Sequence, residues 1–166
     1  MKTKALIPLA LAFFVLTSCK EKIDTSKEEV AIKAAIEGEI KASFDGDYEK
    51  WAPFFVHQPY LLWMQAWKED YVIKKGWLDI SSSTKAWLKP ERKGSMIHKG
   101  NFDYTIKIFE DVAWASFKAK ITKVSQGVST DMEGMEVRFL EKHNGKWEIA
   151  YLGTIYPSTY LEGKEK

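Results

Sequence analysis

The residues with chemistry in reach are few. The three histidines are His57, His98 and His143. His57 precedes Gln58-Pro59 at a predicted helix-to-strand link, and His98 opens the predicted sheet region. Either has the ring to serve as a general base near neutral pH. His143 sits beside an Asn-Gly turn. Asp70, Asp103 and Glu133 are carboxylate options. No two of these groups have a spacing that forces a shared site, so His57, His98 and Asp103 stand as weak catalytic candidates. Arg138 lies between Val137 and Phe139 on a predicted strand. Turned inward it would grip a ligand carboxylate through two N–H groups; turned outward it would be a solvated or paired surface residue. Aromatics cluster between residues 60 and 77: Tyr60, Trp63, Trp67, Tyr71 and Trp77. Such side chains line apolar pockets and also build cores. With Tyr104, Trp114, Arg138 and Tyr151, the residues Trp63, Trp67 and Tyr71 form the expected pocket set. The sequence has no His-x-x-x-His, no acidic loop of calcium type, no Gly-rich phosphate loop and no Ser or Cys nucleophile motif. No metal and no cofactor are expected, and the residues lean away from an enzyme.

The single cysteine, Cys19, excludes an intrachain disulfide and any multi-thiolate zinc site. It also closes a recognisable segment. Lys2 and Lys4 precede an uncharged apolar run from Ala5 to Leu16, which Thr17, Ser18 and Cys19 follow. The run is too short to span a bilayer, which takes about 20 residues, and has the length of a signal-peptide core. Leu16-Thr17-Ser18-Cys19 resembles the lipobox of bacterial lipoproteins. The resemblance implies cleavage before Cys19 and acylation of that cysteine, by palmitate-type chains. Two or more chains on one residue anchor stably where one does not. The expected address is the bacterial cell envelope, exported and membrane-anchored. The expected boundaries are a signal peptide over 1–18, an acylated cysteine and polar tether over 19–26, one domain over 27–160 and a polar tail over 161–166.

Composition agrees with a single domain. The chain has 166 residues, 45% hydrophobic and 14% aromatic. That length supports a core without metal or disulfide staples. The formal charge of +2 comes from Lys2 and Lys4, so residues 19–166 are formally neutral. A nucleic-acid partner, which needs a strongly basic face, is not expected.

The elements that must position these residues read as follows. Ser26-Lys27-Glu28-Glu29 is a capping-box pattern. Ile32, Ile36, Ile40 and Phe44 make an apolar stripe, which predicts a helix over about 27–44. Asp47 can cap a second short helix over 48–55, and Tyr60 to Ala66 is compatible with a buried strand. Trp77, Ile80, Thr84 and Leu88 predict a third helix over 76–88, ended by Pro90. The period then changes to two. Strands are predicted over 102–108, 113–122, 135–142 and 146–156, with a polar connector over 125–134. Asn144-Gly145 is a hairpin signal, because both central positions of the favoured turn take positive φ. Helices followed by a run of strands mean α+β, with about three helices on the concave face of a curved antiparallel sheet.

Several local signatures coincide. The first helix ends in Asp45-Gly46-Asp47-Tyr48, with Trp51 soon after; Asp111-Val112-Ala113-Trp114 opens a strand; Glu141-Lys142-His143-Asn144-Gly145-Lys146-Trp147-Glu148-Ile149 forms a hairpin. Together they resemble the NTF2-like superfamily, in its SnoaL-like or DUF4440-like branch, over about 28–157. The resemblance implies an α+β cone with an apolar pocket between helices and sheet, and dimers formed through the sheet. Its functions run from ligand binding through isomerase, dehydratase or hydrolase chemistry to protein association. Fold does not choose among them. Many members of that branch carry a His six residues after the hairpin Trp and a Ser two further on; here those positions are Gly153 and Ile155. The reading that emerges is a lipoprotein whose cone binds a small, largely apolar ligand. The alternatives are a SnoaL-like enzyme and a dimerisation or protein-interaction module.

Overall fold

A computed structural model describes residues 24–67, 70–90, 94–125 and 127–156. Helix α1 spans Thr25–Phe44 and α2 spans Tyr48–Trp51, continued by a 3-10 turn over Ala52–Phe54. Strands β1 (Leu62–Trp67) and β2 (Asp70–Lys75) follow, then α3 (Trp77–Trp87). The long strands are β3 (Met96–Phe109), β4 (Val112–Ser125), β5 (Val128–His143) and β6 (Lys146–Tyr156). They form one six-stranded sheet in the order β2-β1-β6-β5-β4-β3.

The apolar stripe of α1 is the reason the cone closes. Ile32 and Ile36 are wholly buried, and Ile40 nearly so. They pack against the inward residues of the sheet, among them Phe117, Leu140 and Ile149. Each such side chain contributes about 1.5–3 kcal/mol on burial. Strand β4 turns Ala113, Ala115 and Ala119 inward, all buried. Their small side chains let α1 lie close to the sheet. Trp51 and Phe55 pack at a tilt with ring centroids 4.2 Å apart and are both buried.

Three expectations are corrected here. The cap of α1 is Asp24, whose side chain accepts from the Lys27 amide, and not Ser26. With Asp24 as the cap, the position three residues on is Lys27, so no capping box forms; Glu28 instead accepts from Lys142 Nζ and, at 2.7 Å, from Trp147 Nε1. The sheet is mixed rather than antiparallel: β1 runs parallel to β6, with Leu62 beside Tyr151. Its antiparallel neighbour β2 is an edge strand that the residue pattern did not show. Tyr71, Val72 and Ile73 are all exposed there, so no alternation of buried and open positions marks it. The stretch over 128–134, expected to connect, is strand: Val128 pairs with Ser125 and Gly134 with Ala119.

One irregularity decides which residues face the cone. Phe139 pairs with Tyr151, but Leu140 pairs with Ile149, so Ala150 is an extra residue in β6. A bulge of this kind sharpens the twist, and an odd insertion inverts the alternation beyond it. Trp147 and Ile149 face inward before it; Leu152, Thr154 and Tyr156 are the buried positions after it. The hairpin itself turns at Asn144 and Gly145, both with positive φ.

Among the described residues no helix is long and apolar enough to cross a membrane. Cys19 and the expected signal, tether and tail segments lie outside the described residues, apart from the last residues of the tether.

Candidate functional site

Between α1, α3 and the inner face of the sheet lies a cavity of about 570 Å³. That is within the usual size of small-molecule sites, roughly 300–1,000 Å³. Its walls are mainly apolar: Ile40 and Phe44 from α1, Trp63 from β1, Ile121 from β4, Leu152 from β6 and Leu88 after α3. The floor is polar. Arg138 is 2% exposed and bridges two carboxylates. Its Nη1 lies 2.8 Å from Glu136 Oε2, and its Nη2 lies 3.2 Å from Glu39 Oε2. Glu39 also accepts from Trp51 Nε1 at 3.0 Å. Glu136 accepts from Thr154 Oγ1 at 3.0 Å and from the Tyr156 hydroxyl at 3.4 Å. The guanidinium stands over the Phe117 ring, 5.5 Å from its centroid.

The local sequence explains the cluster. Glu39 is three residues past Ile36 and one before Ile40, so it shares the buried side of α1. Glu136 and Arg138 are two apart on β5, hence on one face. Gly134, two residues earlier, has no Cβ because one would sit 2.6 Å from the Tyr156 ring. The ring lies over that gap, and its hydroxyl reaches Glu136.

The electrostatics are those of a buried trio with two acids and one base. Burial is the largest influence on Glu39 and pushes its carboxyl above the usual carboxylate range, although Arg138 pulls the other way. Burial by itself would lower the Arg138 pKa, but Glu136 and Glu39 outweigh it and keep the guanidinium charged. Burial and Glu136 raise the Tyr156 phenol, so it acts as a hydrogen-bond donor. Among the described residues, Arg138 Nε and Thr84 Oγ1 are buried without a hydrogen-bond partner, and both residues line the cavity.

Of the expected site residues, Trp63 and Arg138 line this cavity. So does His98, whose Nε2 lies 2.8 Å from Asn101 Oδ1. Asn101 Nδ2 in turn donates to Glu37 Oε1 at 2.9 Å. That order makes Nε2 the donor to Asn101 Oδ1.

The others are placed elsewhere. Tyr151 and Trp114 are on the outer face of the sheet, both cross-strand to Phe139. Simple alternation from Trp147 would have turned Tyr151 inward; the bulge at Ala150 turns it out. Gly153 and Ile155 follow Tyr151 outward, so a polar pair at those two positions would not reach this cavity. Tyr71 is 73% exposed on the edge strand. Tyr104 stacks on Phe117 and donates to Glu37 Oε1 at 2.7 Å, outside the cavity lining. Asp103 is exposed at an irregularity of β3, 2.9 Å from Lys118 Nζ. His57 is pinned outside the cone: it stacks on Trp77 at 3.8 Å and meets the Ala52 carbonyl at 3.1 Å. The side chain of Trp67 lies outside the described part. No group of three or more His, Cys, Asp or Glu able to hold a metal occurs among the described residues.

Glu39 and Glu136 were not among the candidates from sequence. The signal existed for both: an acid on the apolar side of a helix, and an acid two residues from an inward arginine.

No family model and no curated protein matches the sequence. Solved structures do. An NTF2-like superfamily protein from Salmonella enterica superposes with a TM-score of 0.65 at 18% identity, covering 86% of this chain and 99% of that one. A candidate scytalone dehydratase from Novosphingobium aromaticivorans gives 0.63 at 14% identity, covering 80% and 85%. The association domain of C. elegans CaMKII gives 0.61 at 14% identity, covering 78% and 95%. At these identities the likeness is one of fold. Three helices laid in a curved, unclosed, mixed sheet make this chain an α+β cone of the NTF2-like fold.

Proposed function

We propose that this chain is an exported lipoprotein, anchored through acylated Cys19, whose cone binds a small and largely apolar ligand. The observation that carries the binding reading is the cavity of about 570 Å³ left open between α1, α3 and the sheet. Interiors normally pack without voids of that size. Its apolar walls offer burial, and its polar floor offers orientation. The anchor rests on the apolar run over 5–16 and the lipobox-like Leu16-Thr17-Ser18-Cys19.

Native mass spectrometry of the full processed protein, purified from its own host, tests the binding reading. The wild type should carry a small-molecule adduct, and Ala119→Phe, which puts a ring on the cavity lining, should carry less. Both proteins bare, with both folded by circular dichroism, would reject it. For the anchor, wild type should take up labelled fatty acid and sediment with membranes. Cys19→Ala should do neither; a variant that still does both would refute acylation at Cys19.

A second reading is favoured by Glu39. A buried carboxyl with a raised pKa, linked through Arg138 and Glu136 to the Tyr156 hydroxyl, and the imidazole of His98 in the same cavity lining, are groups that proton-transfer chemistry uses. The dehydratase-like neighbour makes dehydration the reaction to assay first. The outer sheet face favours a third role alongside either one. Met135, Phe139 and Ile155 are exposed there, and one structural neighbour is an association domain. Self-association through that face fits this surface.

A further inference from the structure

The charge around the cavity is distributed in a way that the floor does not explain. Both acids that line it, Glu39 and Glu136, are committed to Arg138 at the floor. The remaining charged lining residues are all lysines: Lys74 on β2, Lys89 just after α3 and Lys123 on β4. Among the described residues none of the three has an ion-pair partner. They come from three separate elements and meet only at this cavity. Lys89 and Lys123 are exposed, and Lys74 is half-buried on the edge strand, cross-strand to Trp63, so these charges border the open side of the cavity. Gly46, at the end of α1, packs on the Lys89 carbonyl, and the Ser95 carbonyl accepts from Val124, next to Lys123. Those contacts fix the rim at one end of the cone. Between rim and floor run the apolar walls of Ile40, Phe44, Trp63, Leu88 and Ile121.

We infer that the ligand is an anionic amphiphile. Its apolar body lies along these walls, and its negatively charged head stays at the mouth among Lys74, Lys89 and Lys123. The inference rests on the binding reading and narrows it to a chemical class. The head does not belong at the floor, because both Arg138 Nη groups are already taken by Glu136 and Glu39, and an anion there would sit against those two acids. At the rim it meets three cations and keeps part of its hydration. A neutral amphiphile gains only the walls. A cationic one is repelled on entry. Carboxylate, sulfate and phosphate heads share this chemistry, and the assay separates them.

The test is calorimetric titration of the full processed protein with decanoate, decyl sulfate, decyl phosphate, decanol and decyltrimethylammonium, each below its micelle concentration and at low salt. At least one anion should bind tenfold or more tightly than decanol, and the cation should bind most weakly. The triple variant K74Q/K89Q/K123Q should bring the anions to the level of decanol measured on the same variant. Added salt should shrink the wild-type preference, since rim charges are screened over about 8–10 Å. Decanol binding as tightly as every anion, or anion affinity unchanged in the triple variant, would overturn the anionic class while leaving the pocket reading intact. A folded wild type that binds no amphiphile of any charge, and carries no adduct from its host, would overturn both.

Discussion

At the residue scale, the Glu39–Arg138–Glu136 cluster places two acids and one base in the buried interior. Two acids and one base with exposures of 6% or less cannot be separated cheaply. Removing one partner of a buried ion pair costs about 3–5 kcal/mol, because a charge is left without compensation. Arg138→Met should lower unfolding stability by about that amount in urea titration. The triple replacement E39L/R138M/E136L should recover part of it, since apolar groups of similar volume replace the charges while Trp51 Nε1, Thr154 Oγ1 and the Tyr156 hydroxyl lose their acceptors. Recovery would separate the cost of orphaned charge from the cost of lost packing. Two glutamates also give opposite pH dependences. Glu28 is held below its ordinary 4.5, first by the hydrogen bond from Lys142. Its contribution is present above that value and lost as pH falls. Glu39 is held above its ordinary 4.5 by burial. The folded state then binds the extra proton, so stability falls as pH rises from 4.5 through the raised value. Glu28→Gln should therefore flatten the acid limb of a stability–pH curve, and Glu39→Gln the descent on the other side. Equal slopes in wild type and variant would contradict each assignment. Arg138 was legible as a candidate from its place between Val137 and Phe139, with its direction left open. Its partner across the cone was not, because Glu39 is 99 residues away in sequence.

At the element scale, patterns of burial made most of the fold legible and one extra residue hid part of the site. The three helices and the hairpin at Asn144-Gly145 follow from apolar spacing and turn chemistry. Strand β2 does not, because an edge strand exposed along Tyr71, Val72 and Ile73 carries no alternating signal. Its parallel neighbour arrangement, β1 beside β6, joins residues far apart and has no local signature. The bulge at Ala150 is equally silent in sequence, yet it decides that Tyr151 faces out and Tyr156 faces in. Two glycines allow a direct check of those faces. A Cβ at Gly134 would meet the Tyr156 ring at 2.6 Å and the Ile155 carbonyl at 2.9 Å, with backbone on one side. A Cβ at Gly153 would meet mainly the Tyr151 hydroxyl at 2.5 Å, the far end of an outer-face side chain that can swing away. Gly134→Ala should cost about 1–3 kcal/mol by overpacking, and Gly153→Ala distinctly less. The reverse order would mean that the β6 faces are assigned the wrong way round.

At the scale of the whole molecule, the two faces of one sheet divide the work. The inner face holds the cavity, and the outer face carries Met135, Phe139 and Ile155 in the open. If copies pair through that face, Phe139→Glu should convert a dimer to a monomer in analytical ultracentrifugation without altering ligand affinity. An unchanged association state would remove this face from the interface. The course of α1 also sets an orientation. Its N-terminal end is tied to the hairpin through Glu28, Lys142 and Trp147, and its C-terminal end borders the lysine rim. A helix of 20 residues separates the two, which is about 30 Å. Only a few residues link Cys19 to α1, so an anchored protein would hold its hairpin end to the membrane and open its cone toward water. The central claim, that the cone is a ligand site, is tested most directly by a crystal structure of the protein purified from its own host. The account expects bound density along Trp63, Leu152 and Ile121, with its polar end toward the lysines. A cone closed by its own side chains, with no space between Trp63 and Ile121, would contradict it.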